Sequence, residues 1–308
     1  MITRRQVMAG IACCAPSVAQ GKRVISTDKV FLDYTQAALD AAYDQAVWAP
    51  NMQQVTARWA SNSDLVRGSI GDPVRRAYGE TGIERLDIYR GTGANRPVHI
   101  AIHGGSWQGG SARNFAFAAE TFVRAGAVFV VPDFVDVQDA GKSLLAMDAQ
   151  VRRAIAWVYR NAASFGGDPN RIYLSGHSSG AHLAACALTA AEPLPIRGAV
   201  LISGVYDLEG PSISARRTLV NFDQVTLDTL SPQRHIDRVK APIMVAYGTL
   251  ESPEFQRQAR EFATTVRTAG KPAELLVLEN YNHFETVETL ANPYSPLGRA
   301  ALAQMNLP

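Results

Sequence analysis

Gly176-His177-Ser178-Ser179-Gly180 sets a serine between two glycines, with the apolar run Arg171-Ile-Tyr-Leu-Ser175 before it and the helical pattern Ala181-His-Leu-Ala-Ala-Cys-Ala-Leu188 after it. A strand that turns sharply into a helix needs residues nearly free of side chain beside the apex, and Gly176 and Gly180 provide them. Ser178 Oγ is then expected to stand exposed above the sheet, at the positive end of the following helix. Acyl transfer by such a serine also needs a base, an acid that orients the base, and N–H donors for the tetrahedral oxyanion.

The chain offers a candidate for each part. His103-Gly104-Gly105-Ser106-Trp107 follows an apolar run, and its glycines let backbone N–H groups approach a substrate oxygen closely. Gly104, Gly105 and Ser106, with the N–H of Ser179, form the expected oxyanion hole. His283 in Asn280-Tyr-Asn-His-Phe-Glu285 follows the last expected strand, which suits the chain order serine, acid, histidine. Glu251 is the expected acid, just after Ala241-Pro-Ile-Met-Val-Ala-Tyr-Gly-Thr-Leu250, and Asp207 is the alternative after the preceding strand. His177 and Trp107 flank these parts and are expected to touch substrate. No cluster of His, Cys and Asp has the spacing of a zinc site, so neither a metal nor a cofactor is expected.

These residues must be held by a sheet. Short apolar runs at 98–102, 127–131, 171–174, 198–202, 242–247 and 273–278 read as strands buried on both faces. Helical patterns at 113–125, 143–164, 180–191, 254–269 and 297–305 alternate with them, which predicts a mostly parallel sheet with helices on both faces. Ligands in such sheets bind beyond the carboxyl ends of the strands, where every candidate above lies. The segment 28–68, with Tyr34, Tyr43, Trp48 and Trp59, and the insertion 208–238 fall outside the alternation. They are expected to form a small cap.

The 308 residues carry 30 basic and 28 acidic side chains without a block of either sign, so no nucleic-acid footprint is expected. Residues 1–19 read as a signal peptide: Arg4-Arg5 begins it, a short apolar run follows, and Ser17 and Ala19 are the small residues of a cleavage site. The apolar run is too short for a membrane span. Residues 20–308 then form one domain in the periplasm or outside the cell, or in the cytoplasm if the N-terminus is not a signal. With the signal removed, Cys186 alone remains, so no internal disulfide is possible. No heptad or distinctive apolar face sets an oligomeric state.

Together, His103-Gly-Gly-Ser-Trp107, Gly176-His-Ser-Ser-Gly-Ala-His-Leu183 and Asn282-His283-Phe284 resemble the α/β-hydrolase superfamily, within it the kynurenine formamidase-like esterases of the hormone-sensitive-lipase branch. The resemblance covers roughly residues 75 to 290. Tyr247-Gly-Thr-Leu-Glu-Ser-Pro-Glu-Phe255 is similar to the acid loop of that family, with Glu251 where an aspartate is usual. The resemblance implies an α/β-hydrolase fold and hydrolysis of a small ester or an aryl formamide through an acyl-enzyme, without cofactor. A cytoplasmic kynurenine formamidase proper is one alternative. A scaffold that binds a ligand without turnover is another, since a fold alone proves no activity.

Overall fold

A computed structural model describes residues 28–308; the expected signal peptide lies outside the described residues. A short hairpin, β1 (Lys29–Phe31) with β2 (Tyr34–Thr35), leads into helices α1 (Gln36–Tyr43) and α2 (Met52–Ile70). Eight further strands form one sheet: β3 (Val74–Ala77), β4 (Arg85–Arg90), β5 (Arg96–Ile102), β6 (Val128–Pro132), β7 (Gly167–His177), β8 (Ile196–Ile202), β9 (Ile243–Gly248) and β10 (Ala273–Leu278). Their spatial order is β10-β9-β8-β7-β5-β6-β4-β3. All neighbours run parallel except at β4, which is antiparallel to both β6 and β3.

Alternation along the strands divides the core. Val98, Ile100 and Ile102 of β5 face α4 (Leu144–Asn161), α5 (Ser179–Leu188) and α8 (Pro253–Thr268), whose Val151, Leu183 and Phe262 complete that layer. Ala101 of β5 and Val200 of β8 face the other layer, built on α3 (Ala119–Arg124), α9 (His283–Glu288) and α10 (Pro296–Gln304). All ten residues of α5 are buried, because it sits against the centre of the sheet behind β7. In the insertion after β8, helices α6 (Glu209–Ile213) and α7 (Gln224–Thr229) are short and joined by single turns. Among the described residues no helix is long and apolar enough to cross a membrane.

The six apolar runs all form strands. The two extra strands, β3 and β4, were not expected. Their sequences, Val-Arg-Arg-Ala and Arg-Leu-Asp-Ile-Tyr-Arg, look polar because Arg75 reaches across to the buried carboxylates of Asp87 and Asp133. The carboxyl ends of β5, β7, β8, β9 and β10 meet at one edge of the sheet, where the loops carrying the candidate residues converge.

Candidate active site

Ser178 occupies the turn between β7 and α5 with φ 56° and ψ −123°, a left-handed conformation that costs free energy for any residue with a side chain. The neighbouring glycines make the turn possible. A Cβ on Gly176 would lie 2.3 Å from Gly180 O, and one on Gly180 would lie 2.2 Å from Ile102 O. Ser178 N–H donates to Ile202 O at 2.9 Å, which ties the apex of the turn to β8.

His283 begins α9, where Asn282 caps the helix in a reciprocal pair with Glu285. Its Nε2 lies 2.9 Å from Ser178 Oγ, and its Nδ1 lies 2.9 Å from Glu251 Oε2. A carboxylate only accepts, so Nδ1 carries the ring proton and Nε2 presents a lone pair to the serine hydroxyl. Glu251 follows β9 and is 1% exposed. Its other oxygen accepts from Ser203 Oγ and from Gly248 N–H, both at 2.7 Å. Asp207, the alternative acid, instead accepts from Glu209 N–H at 2.9 Å and approaches Arg234, away from His283.

The loop after β5 faces the serine. Gly105 has φ +135°, and a Cβ there would meet Gly109 O at 2.3 Å; a Cβ on Gly104 would lie 2.7 Å from His177 O. Ser106 and Trp107 also have positive φ. Among the described residues, the N–H groups of Gly104, Gly105, Ser106 and Ser179 have no hydrogen-bond acceptor. His103 stiffens this loop: its ring stacks on Phe134 at 4.2 Å, and its Nδ1–H donates to Gly104 O.

His177 lines the cavity in front of Ser178, and its Nε2–H donates to the carbonyl of His283 at 2.8 Å. Burial, and then the neighbouring His283, push its pKa well below the ordinary value, so the ring is neutral and serves to hold the histidine loop. Trp107, expected to touch substrate, does not line that cavity. Its ring is buried, and its Nε1–H donates to His182 Nδ1 at 3.2 Å. Trp107 has φ 62°, and its ring meets His182 edge-on at 5.4 Å.

The cavity measures about 520 Å³ and is lined by Ser178, His283, Gly104 to Ser106, and by aromatic and polar side chains from elsewhere. The segment before β3 supplies six of the lining residues, including Asp44, Gln45 and Trp59, whose ring meets His177 edge-on at 5.5 Å. From the 208–238 insertion, Arg216 alone lines this cavity. The same N-terminal segment braces two catalytic loops. Gln45 Nε2–H donates to Ser252 Oγ at 3.0 Å, beside Glu251, and Asn51 bonds both Asn282 and Glu285, beside His283. Ser203, Asn51, Gln45 and Arg216 were not picked out from the sequence. Only Ser203 carried a signal, its place just after an expected strand at the edge where the other candidates lie.

The BD-FAE family profile matches residues 86–197, which include the loop after β5 and the serine turn. A kynurenine formamidase of Danio rerio is 30% identical over 82% of this chain and 91% of its own length. The esterase LipQ of Mycobacterium tuberculosis is 29% identical over 73% of this chain and 61% of its own. A solved structure from a Silicibacter species superposes with a TM-score of 0.75 at 25% identity, covering 85% of this chain and 98% of that one. The eight-stranded sheet and this extent of likeness place the chain in the BD-FAE family of α/β-hydrolases, as an esterase- or formamidase-like hydrolase.

Proposed function

We propose that the chain is a serine hydrolase that cleaves small carboxylic esters or N-formyl aryl amides through an acyl-enzyme on Ser178. The observation that carries this reading is the unbroken hydrogen-bonded series from Ser178 Oγ through the His283 ring to Glu251, with both contacts at 2.9 Å. As Oγ attacks the substrate carbonyl carbon, its proton passes to His283 Nε2, and the buried Glu251 carboxylate stabilises the imidazolium. The carbonyl oxygen becomes an oxyanion that accepts from the free N–H groups of Gly104, Gly105, Ser106 and Ser179, and the positive end of α5 adds to their effect. Collapse of the intermediate returns the proton from Nε2 to the departing alkoxide or amine. Water then attacks the acyl-enzyme by the same route and frees Ser178.

The cavity volume falls within the ordinary range for a small-molecule site, and the aromatic rings of Trp59, Phe255 and Phe284 in its wall favour an aryl or other apolar group. Turnover of N-formylkynurenine, p-nitrophenyl acetate and a long-chain p-nitrophenyl ester, with Ser178→Ala as control, tests the reading. Turnover that is lost with Ser178 supports it. Undiminished turnover in Ser178→Ala removes the nucleophile, and no turnover of any substrate by the parent protein leaves a binding scaffold. We further propose that residues 1–19 direct export. The mass of the mature N-terminus decides this, since a retained Met1-Ile2 terminus places the protein in the cytoplasm.

A further inference from the structure

Among the described residues, Arg216 is the sole lysine or arginine in the wall of the catalytic cavity. It sits in the single turn Ala215–Thr218, and one of its five N–H donors goes to the carbonyl of Tyr43, from Nη2 at 2.6 Å. Among the described residues no carboxylate lies within 4 Å of its guanidinium. Nearby arginines are treated differently: Arg257 is paired with Glu254 and Glu261, and Arg234 with Asp228. Burial lowers the pKa of Arg216 from its ordinary value, with the Asp44 charge opposing the shift, yet a guanidinium stays protonated under any working condition. A half-buried cation with no carboxylate in direct contact costs stability, and a hydrophobic residue of similar length would fill the place more cheaply.

Its position gives the cation a use. A second cavity of about 360 Å³ shares Asp44, Ser106, Gln108 and Arg216 with the first, so Arg216 stands where the two meet. The rest of its donors are left for whatever occupies that junction. Asp44 lines the same wall, with its carboxylate fixed by accepting from Ala46 N–H at 3.1 Å. That negative charge opposes a dianion such as a phosphomonoester more strongly than it opposes a single planar carboxylate, whose shape the guanidinium fork also matches.

We propose that Arg216 is a specificity-determining residue that binds a carboxylate on the leaving group of the substrate, while the apolar part of that group lies against Trp59 and Phe284 and the scissile carbonyl lies at Ser178. This rests on the serine hydrolase reading above. The substrate class is then a small acylated aryl compound bearing one carboxylate, and neutral esters are secondary substrates.

The test compares 3-(4-acetoxyphenyl)propanoate with 3-(4-acetoxyphenyl)propanamide, which share a scissile bond and differ in charge. The parent protein is expected to favour the acid by roughly 10- to 100-fold in kcat/KM, the range for a hydrogen bond to a charged group. Arg216→Met is expected to lower that ratio at least tenfold, and Arg216→Lys to restore part of it. A ratio near one in the parent overturns the proposal. So does a ratio unchanged in Arg216→Met, which makes Arg216 a structural tie to Tyr43 that affects both substrates alike. Calorimetric titration of Ser178→Ala with 3-phenylpropanoate and its amide reads the same preference without Arg216 variants or turnover. Equal binding overturns the subsite. Preference for the acid by Ser178→Ala, with neither acetate hydrolysed by the parent, upholds the subsite and removes the hydrolase reading instead.

Discussion

Glu251→Gln keeps the size of the acid and removes its charge, and the three bonds at this carboxylate determine how much activity is lost. One oxygen accepts from Ser203 and Gly248, the other from His283. The amide has one oxygen and one NH2 group, so it can satisfy only one side. With its oxygen toward Ser203 and Gly248, its NH2 meets His283 Nδ1, which must then accept. The ring proton moves to Nε2, and Ser178 loses its base. The flipped amide keeps the working tautomer but sets NH2 against the Gly248 N–H, a buried donor that cannot rotate away. Leaving that donor unpaired costs about 1–3 kcal/mol, so only roughly one molecule in ten to one in a hundred has the competent arrangement. Loss of the carboxylate also removes its attraction for the imidazolium, about 4 kcal/mol for charges roughly 4 Å apart at an effective dielectric of 20, or about a thousandfold in rate. Together these predict a fall in kcat of roughly 10⁴ to 10⁵. Initial rates on p-nitrophenyl acetate, with thermal unfolding to show that the variant is folded, measure it. A folded variant that loses less than about tenfold refutes the assignment of Glu251 as the orienting acid.

Gly105→Ala forces a Cβ to within 2.3 Å of the Gly109 carbonyl at a positive φ, so the loop must shift and withdraw an oxyanion donor. A fall of about a hundredfold or more in kcat is expected, read with the same ester. Asn51→Leu removes the brace on Asn282 and Glu285 without touching Ser178, Glu251 or His283. Here kcat is expected to fall about tenfold with KM little changed, and amide exchange over residues 282–288 to quicken; unchanged exchange with full activity counts against a positioning role. Asp148 is buried beside Arg152, and burial raises its pKa to about 6 from 3.8. Because folding favours its neutral form, its contribution is fully present below about pH 4 and is lost as pH rises through 6, a loss of about 3 kcal/mol. Asp148→Asn is therefore expected to gain roughly 5 °C in Tm over the parent protein between pH 4 and pH 8, and thermal melts at the two values check it.

The strands that carry the site were readable because their neighbours cover both faces. Ala199 to Ile202 is a continuous apolar run and Val98 to Ile102 is broken only by the buried His99, since helices lie above and below them. At the far edge that signal fails. Asp87 of β4 is buried, but Arg75 neutralises it from β3, so a strand of the sheet reads as a charged loop. The serine turn and the loop after β5 were readable because backbone geometry demands glycine there, and glycine leaves a mark in sequence. Trp107 shows the limit. Its place in the motif predicted contact with substrate, while its indole N–H bonds the buried His182, a partnership that no residue type in the motif announces.

The cap was the least legible part, and its contacts explain why. Its residues are selected by two surfaces at once. Trp59 packs on Phe115, Phe117 and Phe284 while facing the cavity, so an aromatic that looks like ordinary core also shapes the site. Tyr43 shows the same double use: its hydroxyl donates to Glu254 on the helix after the acid loop, and its carbonyl accepts from Arg216 in the cavity wall. The segment that supplies a third of the cavity wall therefore also braces the loops of Glu251 and His283, through Gln45 and Asn51. A substitution that reshapes the cavity at this segment moves the triad with it. Substrate preference and turnover rate should accordingly change together for residues 43–59, and separately for Arg216, which is joined to that segment by a single hydrogen bond, to the Tyr43 carbonyl.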